Sequence, residues 1–192
     1  MKVIVAITGA SGAIYARQVL EILLNNKAVD RIALILSHHA PDVIKAEGIT
    51  LPNDERITYY DNENMWASLA SGSARWDAMI IVPASMGCVA RVAAGVSRTL
   101  IERAADVMLK ERRRLVVAVR EAPYSLIHLR NMTTLTEAGA IVIPASPSFY
   151  FRPQSIEELC YNLSERIIEA AGIEVEHKEW GEEKKSKVKS EK

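Results

Sequence analysis

The chain has 192 residues, of which 49% are hydrophobic, enough for one globular domain with a buried core. Its 24 Lys plus Arg balance 24 Asp plus Glu, so no global excess of charge draws nucleic acid or an anionic membrane, and an anionic ligand has to be held locally. Apolar runs such as residues 78–83 fall far short of the roughly 20 residues of a membrane helix, and the start at Met1 shows no signal-peptide pattern. Cys88 and Cys160 form no CxxC pair, so a cytoplasmic protein with reduced thiols is expected.

Taken in order, residues 2–8 (KVIVAIT) predict a buried strand, Gly9-Ala10-Ser11-Gly12 a tight turn, and residues 13–26 a helix. Residues 31–37 (RIALILS) predict a second strand, and Pro41 suits the first turn of a helix reaching about residue 47. The stretch 49–75 is irregular, with turn signals at 53–54, 61–62 and 71–73; it reads equally as an active-site loop or a surface connection. Strands are expected again at 77–82, 115–120 and 140–143, with helices near 86–94, 99–113, 124–138 and 155–171. This alternation predicts an α/β fold, a doubly wound three-layer parallel sheet over residues 1–173, with ligands at the strands' carboxyl ends. Residues 174–192 hold six acidic and six lysine side chains without apolar periodicity and read as a solvated, flexible tail.

The chemistry-bearing residues gather at the predicted strand ends. Small residues at Gly9-Ala10-Ser11-Gly12 let backbone N–H groups approach a phosphate or flavin edge, though an ordinary βα turn has the same composition. A dinucleotide fingerprint is incomplete there: the third glycine is missing, and the second strand ends in Ser37-His38-His39 without an acidic residue for a ribose. The weight therefore moves to a mononucleotide such as FMN. Pro83-Ala84-Ser85-Met86-Gly87-Cys88 opens a second small-residue helix, where Ser85 is either a simple N-cap or part of a phosphate site. Arg120-Glu121 sets a permanent cation beside a potential proton carrier, or forms a structural ion pair. Arg103, Asp106 and Lys110 share one helix face, an arrangement also typical of solvated stripes. Tyr150, Arg152 and Arg166 suit a compact phosphate, and Trp66 suits the wall of an apolar pocket or plain packing. No spacing of Cys, His and Asp predicts a metal site, and no nucleophile elbow or triad is present.

Over about residues 2–173 the chain resembles the flavin prenyltransferase family of the UbiX type, once called phenylacrylic acid decarboxylases. The resemblance rests on residues 8–12 (TGASG), 100–107 (LIERAADV), 110–113 (KERR), 120–123 (REAP), and the 144–155 segment with Phe149-Tyr150 and Arg152-Pro153-Gln154-Ser155. It implies a flavodoxin-like or Rossmann-like flavoprotein that assembles as a homo-oligomer, a dodecamer, with active sites between subunits. It further implies transfer of a dimethylallyl group from dimethylallyl phosphate to N5 and C6 of reduced FMN, without a metal, giving prenylated FMN for a UbiD-type decarboxylase. By this resemblance Gly9, Ala10, Ser11, Ser37, Ser85, Met86, Gly87, Cys88 and Arg120 bind FMN, while Arg103, Lys110, Tyr150 and Arg166 hold the prenyl phosphate. Ser11, Glu47, Trp66 and Glu121 take catalytic roles: Ser11 near flavin N5, Trp66 facing the allylic cation, and Glu121 with Glu47 assisting proton transfer. The chain departs from the family pattern at Cys88, where Thr or Ser is common, and at Ser97-Arg98-Thr99, which replaces an Asn-containing sequence. An FMN-dependent cysteine decarboxylase would share the fold, but its PxSANT-like motif reads PASMGC here; a non-catalytic flavin-binding subunit would lack the Arg, Lys, Glu and Tyr set.

Overall fold

Strand β1 (Lys2–Ile7) sits at the middle of a six-stranded parallel sheet in the order β3-β2-β1-β4-β5-β6. The computed structural model describes residues 1–175. The other strands are β2 (Arg31–Leu36), β3 (Ile57–Tyr60), β4 (Ala78–Ala84), β5 (Arg114–Val119) and β6 (Ile141–Pro144). Helices α1 (Ala13–Asn25), α2 (Ala40–Ala46), α3 (Met86–Ala93), α4 (Leu100–Lys110), α5 (Leu126–Glu137) and α6 (Ile156–Ala170) connect or follow them. The expected doubly wound three-layer α/β architecture is present, with the strand order of the Rossmann type.

Alternation along β1 builds the two layers. Val3, Val5 and Ile7 point to one core, shared with Val19 and Leu20 of α1 and Ile167 of α6. Ile4 and Ala6 point to the other, shared with Val89 of α3, Ile101 of α4 and Leu135 of α5. Burial on both faces explains why the central strands read as continuous apolar runs. The edge strand β3, inside the stretch expected to be irregular, is the element the pattern hid: only Ile57 of its four residues is buried. It pairs with β2 from Ile32↔Ile57 to Ile35↔Tyr60. Most of the expected charged tail, residues 176–192, lies outside the described residues. The first two residues of that stretch are anchored: Glu174 O accepts from Asn26 Nδ2 at 2.8 Å, and Val175 packs against the core.

Adjacent strands β1 and β4 carry crossovers to opposite sides of the sheet, so a crevice opens between their carboxyl ends. Thr8 spans that crevice. Its buried hydroxyl donates to Pro83 O at 2.8 Å and accepts from Ser85 N at 2.8 Å, while its own N–H donates to Pro83 O at 3.2 Å. The turn after β1 and the turn after β4 are thereby fixed to each other. Replacing Thr8 with Val keeps the shape but leaves the Ser85 N–H without its acceptor and removes one of the two donors to Pro83 O. Thr8→Val is expected to lower stability by about 1–3 kcal/mol in thermal or urea unfolding.

Candidate active site

The carboxyl ends of β1, β2 and β4 open into a cavity of about 250 Å³. Thr8, Gly9, Ser37, His38 and His39 line it from the strand ends, and Ser85, Cys88 and Arg91 from α3. Thr99, Ile101 and Glu102 contribute from the start of α4, with Asn62 and Glu63 from the loop after β3. A larger groove of about 1020 Å³ lies at the other end of the sheet, among Met1, Asn26, Tyr161 and Gly172. The smaller cavity is the candidate site, because it sits where strand order reverses and where polar groups converge.

Two glycines let the backbone approach this crevice. A Cβ on Gly9 would lie 2.9 Å from His39 Cβ, and Gly12 has φ +108, with a Cβ position 2.9 Å from Tyr15 Cδ2. Beside Gly12, Glu47 reaches from the end of α2 to cap α1: Oε1 accepts from Gly12 N at 2.9 Å and Oε2 from Ala13 N at 2.7 Å. A carboxylate at a helix N-terminus is favoured by the helix dipole. Burial raises the Glu47 pKa, but the Ser11 side chain, the Gly12 and Ala13 N–H groups and the Arg120 charge outweigh it, so the group is held below its ordinary range.

Arg120 follows β5, its N–H donating to Ala84 O at 3.1 Å. Its Nε is buried without a partner, and it alone among such atoms of the described residues sits at the carboxyl end of a strand. A buried donor of this kind costs about 1–3 kcal/mol unless an acceptor arrives. On the neighbouring turn, Ser85 caps α3, its Oγ accepting from Cys88 N at 3.4 Å, and the Met86 and Gly87 N–H groups lie in the first helical turn, where no intrahelical acceptor exists. Burial pushes the Cys88 thiol up to about 12, so Cys88 is a wall and not a nucleophile at neutral pH. These features fit FMN: a buried guanidinium N–H with no acceptor, two side-chain-free approaches, and polar hydrogens on two turns fastened by Thr8.

The crevice therefore collects Gly9, Ser37, Ser85 and Cys88 as cavity lining, with Ala10, Met86 and Gly87 in the same turns. Ser11, Glu47 and Arg120 form an adjoining polar cluster. Glu121 follows Arg120, its Oε1 accepting from Ala122 N at 3.0 Å. The remaining expected residues do not meet there within one chain. Arg103 Nε donates to Ala70 O at 3.0 Å and its Nη1 pairs with Asp106 at 2.6 Å. Lys110 and Arg166 each lie ten residues into a helix that starts at the carboxyl end, hence roughly 15 Å down its flank. The end of α6 confirms that direction, since Ala170 O accepts from Arg114 at the start of β5 at 3.3 Å. Trp66 is 99% exposed and Tyr150 56% exposed.

Several lining residues were given no site role by the sequence reading, among them Asn62, Glu63, Arg91 and Glu102. Asn62 holds the start of α4, its O accepting from Leu100 N at 2.7 Å and its Oδ1 from Ile101 N at 3.1 Å. Glu102 completes a capping box with Thr99. The Thr-x-x-Glu spacing at 99–102 was the available signal.

A protein-family profile described as Flavoprotein matches residues 1–170. The chain is 41% identical over 185 residues to the flavin prenyltransferase UbiX of Methanocaldococcus jannaschii, covering 94% of this chain and 99% of that protein. Among solved structures, AnUbiX in complex with FMN and dimethylallyl pyrophosphate superposes with a TM-score of 0.84 at 39% identity, over 93% of this chain and 98% of that one. A dodecameric FMN-dependent UbiX-like decarboxylase from Escherichia coli O157:H7 gives a TM-score of 0.86 at 35% identity, over 94% and 99%.

The Glu47 cap has a signed pH consequence. A carboxylate whose folded pKa is lowered contributes stability that is fully present above its ordinary value of 4.5 and is lost as pH falls through the lower folded value. Glu47→Gln removes that contribution, so the stability difference between wild type and variant should shrink as pH drops below about 4.5. Thermal unfolding of both proteins from pH 7 to pH 3 measures it; a difference that stays constant would contradict the cap.

Proposed function

This chain belongs to the flavoprotein family and, within it, to the UbiX flavin prenyltransferases; we propose that it moves a dimethylallyl group from dimethylallyl phosphate onto reduced FMN. The observation that carries the reading is the buried, unpartnered Arg120 Nε beside the Gly9–Gly12 turn, in a chain that matches UbiX proteins over nearly its whole length. FMN is the acceptor substrate and supplies N5 and C6, the two atoms that exchange hydrogen for carbon. Arg120, the turn at 9–11, Ser37 and residues 85–88 hold it at the β1/β4 crevice.

The reaction breaks the donor's C–O bond, and the electron pair leaves with phosphate. Arg103, Lys110, Tyr150 and Arg166 supply cationic and phenolic donors for that departing charge, which makes a metal unnecessary. Trp66 offers a π face to the allylic carbon that becomes electron-poor. Glu121, with Glu47 near Ser11, carries the two protons released from N5 and C6; one returns to the prenyl chain and the other goes to phosphate. The product, prenylated FMN, is a cofactor for a UbiD-type decarboxylase. Free, buried Cys88 and Cys160 support a reducing, cytoplasmic setting.

The two groups of residues are separate in one chain, so the site is completed between subunits. A cavity of about 250 Å³ is smaller than the usual roughly 300–1,000 Å³ of an enclosed ligand site, and a bound mononucleotide projects beyond it. Exposed Leu126, Ile127 and Leu129 on α5, with Phe149 and Ile156 near β6, give the chain apolar surface to bury against further copies. We place those contacts in a homo-oligomer of the dodecameric kind.

Purified protein given reduced FMN and dimethylallyl phosphate, with chelator present, is expected to yield flavin heavier by one five-carbon unit in mass spectrometry; unchanged flavin would reject the activity. Arg166→Ala and Glu121→Gln should each slow turnover by about 100-fold or more. Co-assembled in equal amounts, the two variants should regain about a quarter of wild-type activity, because a quarter of shared sites then hold both native residues. No recovery would place both residues in one chain's site.

A further inference from the structure

Glu102 is only 1% exposed, yet it borders the flavin cavity as a carboxylate. Its Oε2 accepts from Arg98 N at 2.8 Å and Thr99 N at 3.0 Å, and its Oε1 accepts from Arg91 Nε. The backbone bonds fix the carboxylate, and the carboxylate in turn fixes the guanidinium. Arg91 is half-exposed, and its Nη1 lies 3.3 Å from where a side chain on Gly87 would begin. The head of Arg91 is thus folded back over the first turn of α3, beside Ser85 and the cavity, although its Cα stands one turn further on.

A buried carboxylate beside a site for an anion is unfavourable unless a cation compensates both charges. Arg91 is placed to do so: Nε serves Glu102, and the planar fork leaves its other N–H groups directed around the α3 turn. The segment that Glu102 secures, residues 98–99, is also where this chain departs from the family's Asn-containing pattern.

We propose that Arg91, positioned by Glu102, is a further flavin-binding residue of this chain, its guanidinium donating to the phosphate monoester of FMN beside the first turn of α3. The proposal rests on the crevice being the flavin site. It makes the pair a determinant of selectivity for FMN over riboflavin, which has the same ring and ribityl chain without the phosphate.

Arg91→Met alone strands a buried carboxylate and risks misfolding, so the informative variant is the double Arg91→Met/Glu102→Gln, which removes both charges together. Full-length protein stripped of flavin is titrated with FMN and with riboflavin by flavin fluorescence, for wild type and for the double variant. The expected result is FMN affinity at least about tenfold weaker in the double variant, with riboflavin affinity within about twofold of wild type. In the wild type, raised salt should weaken FMN more than riboflavin, and the double variant should lose part of that difference. An unchanged ratio of FMN to riboflavin affinity would overturn the proposal and leave Arg91 as a partner for Glu102 only. Wild-type protein that binds neither flavin would instead reject the crevice as a flavin site.

Discussion

The hydroxyl of Thr8 is engaged on both sides, donating to Pro83 O and accepting from Ser85 N. That single buried group fastens the end of β1 to the end of β4, the place where the chain's crossovers diverge to opposite faces of the sheet. It adds to the backbone bond from Thr8 N–H to Pro83 O in holding the Gly9–Gly12 turn against the Ser85–Cys88 turn. With it, their N–H groups keep a fixed separation, the preorganisation that binding of a small rigid ligand requires. The strands behind Thr8 are buried on both faces, so the clamp is backed by two cores and not by solvent.

Around that clamp the charges come in matched sets. Glu47 is compensated by the α1 N-terminus and faces the Arg120 charge; Glu102 is compensated by Arg91 and two backbone N–H groups. Each carboxylate is held below its ordinary pKa despite the burial that opposes it. Of the buried guanidinium nitrogens without a partner among the described residues, on Arg17, Arg113 and Arg120, the one at a strand's carboxyl end is Arg120 Nε. The groups proposed for the donor phosphate, Lys110, Tyr150 and Arg166, stand on the flanks of α4 and α6 and on the loop after β6, each exposed to solvent within one chain. Within one chain, therefore, Lys110 and Arg166 stand apart from the crevice formed by the turns after β1 and β4.

The sheet was legible because its central strands are uniformly apolar and short, separated by Gly- and Pro-marked turns. β3 was not, because an edge strand with one buried residue in four gives no alternation to read. That residues 9–11, 37, 85–88 and 120, the ones expected to hold flavin, share one end of the sheet was legible because each follows a strand, and topology alone puts strand ends together. Arg91 and Glu102 were not: they sit within helices, eleven positions apart, and only the packing of α3 beside α4 makes them neighbours. The distance of Arg166 from the crevice within one chain comes from its place ten residues into α6, which motif spacing does not give, although the resemblance already implied sites between subunits.

The central claim is that the β1/β4 crevice holds FMN and is finished by another copy of the chain. A structure of the assembled, FMN-loaded protein tests it most directly. The account predicts flavin in the crevice with Arg120 Nε donating to it at roughly 2.7–3.2 Å, and the partner subunit's Arg166 facing the open side of the ring. Flavin seated elsewhere, or Arg166 of every copy turned to solvent away from any flavin, would contradict it.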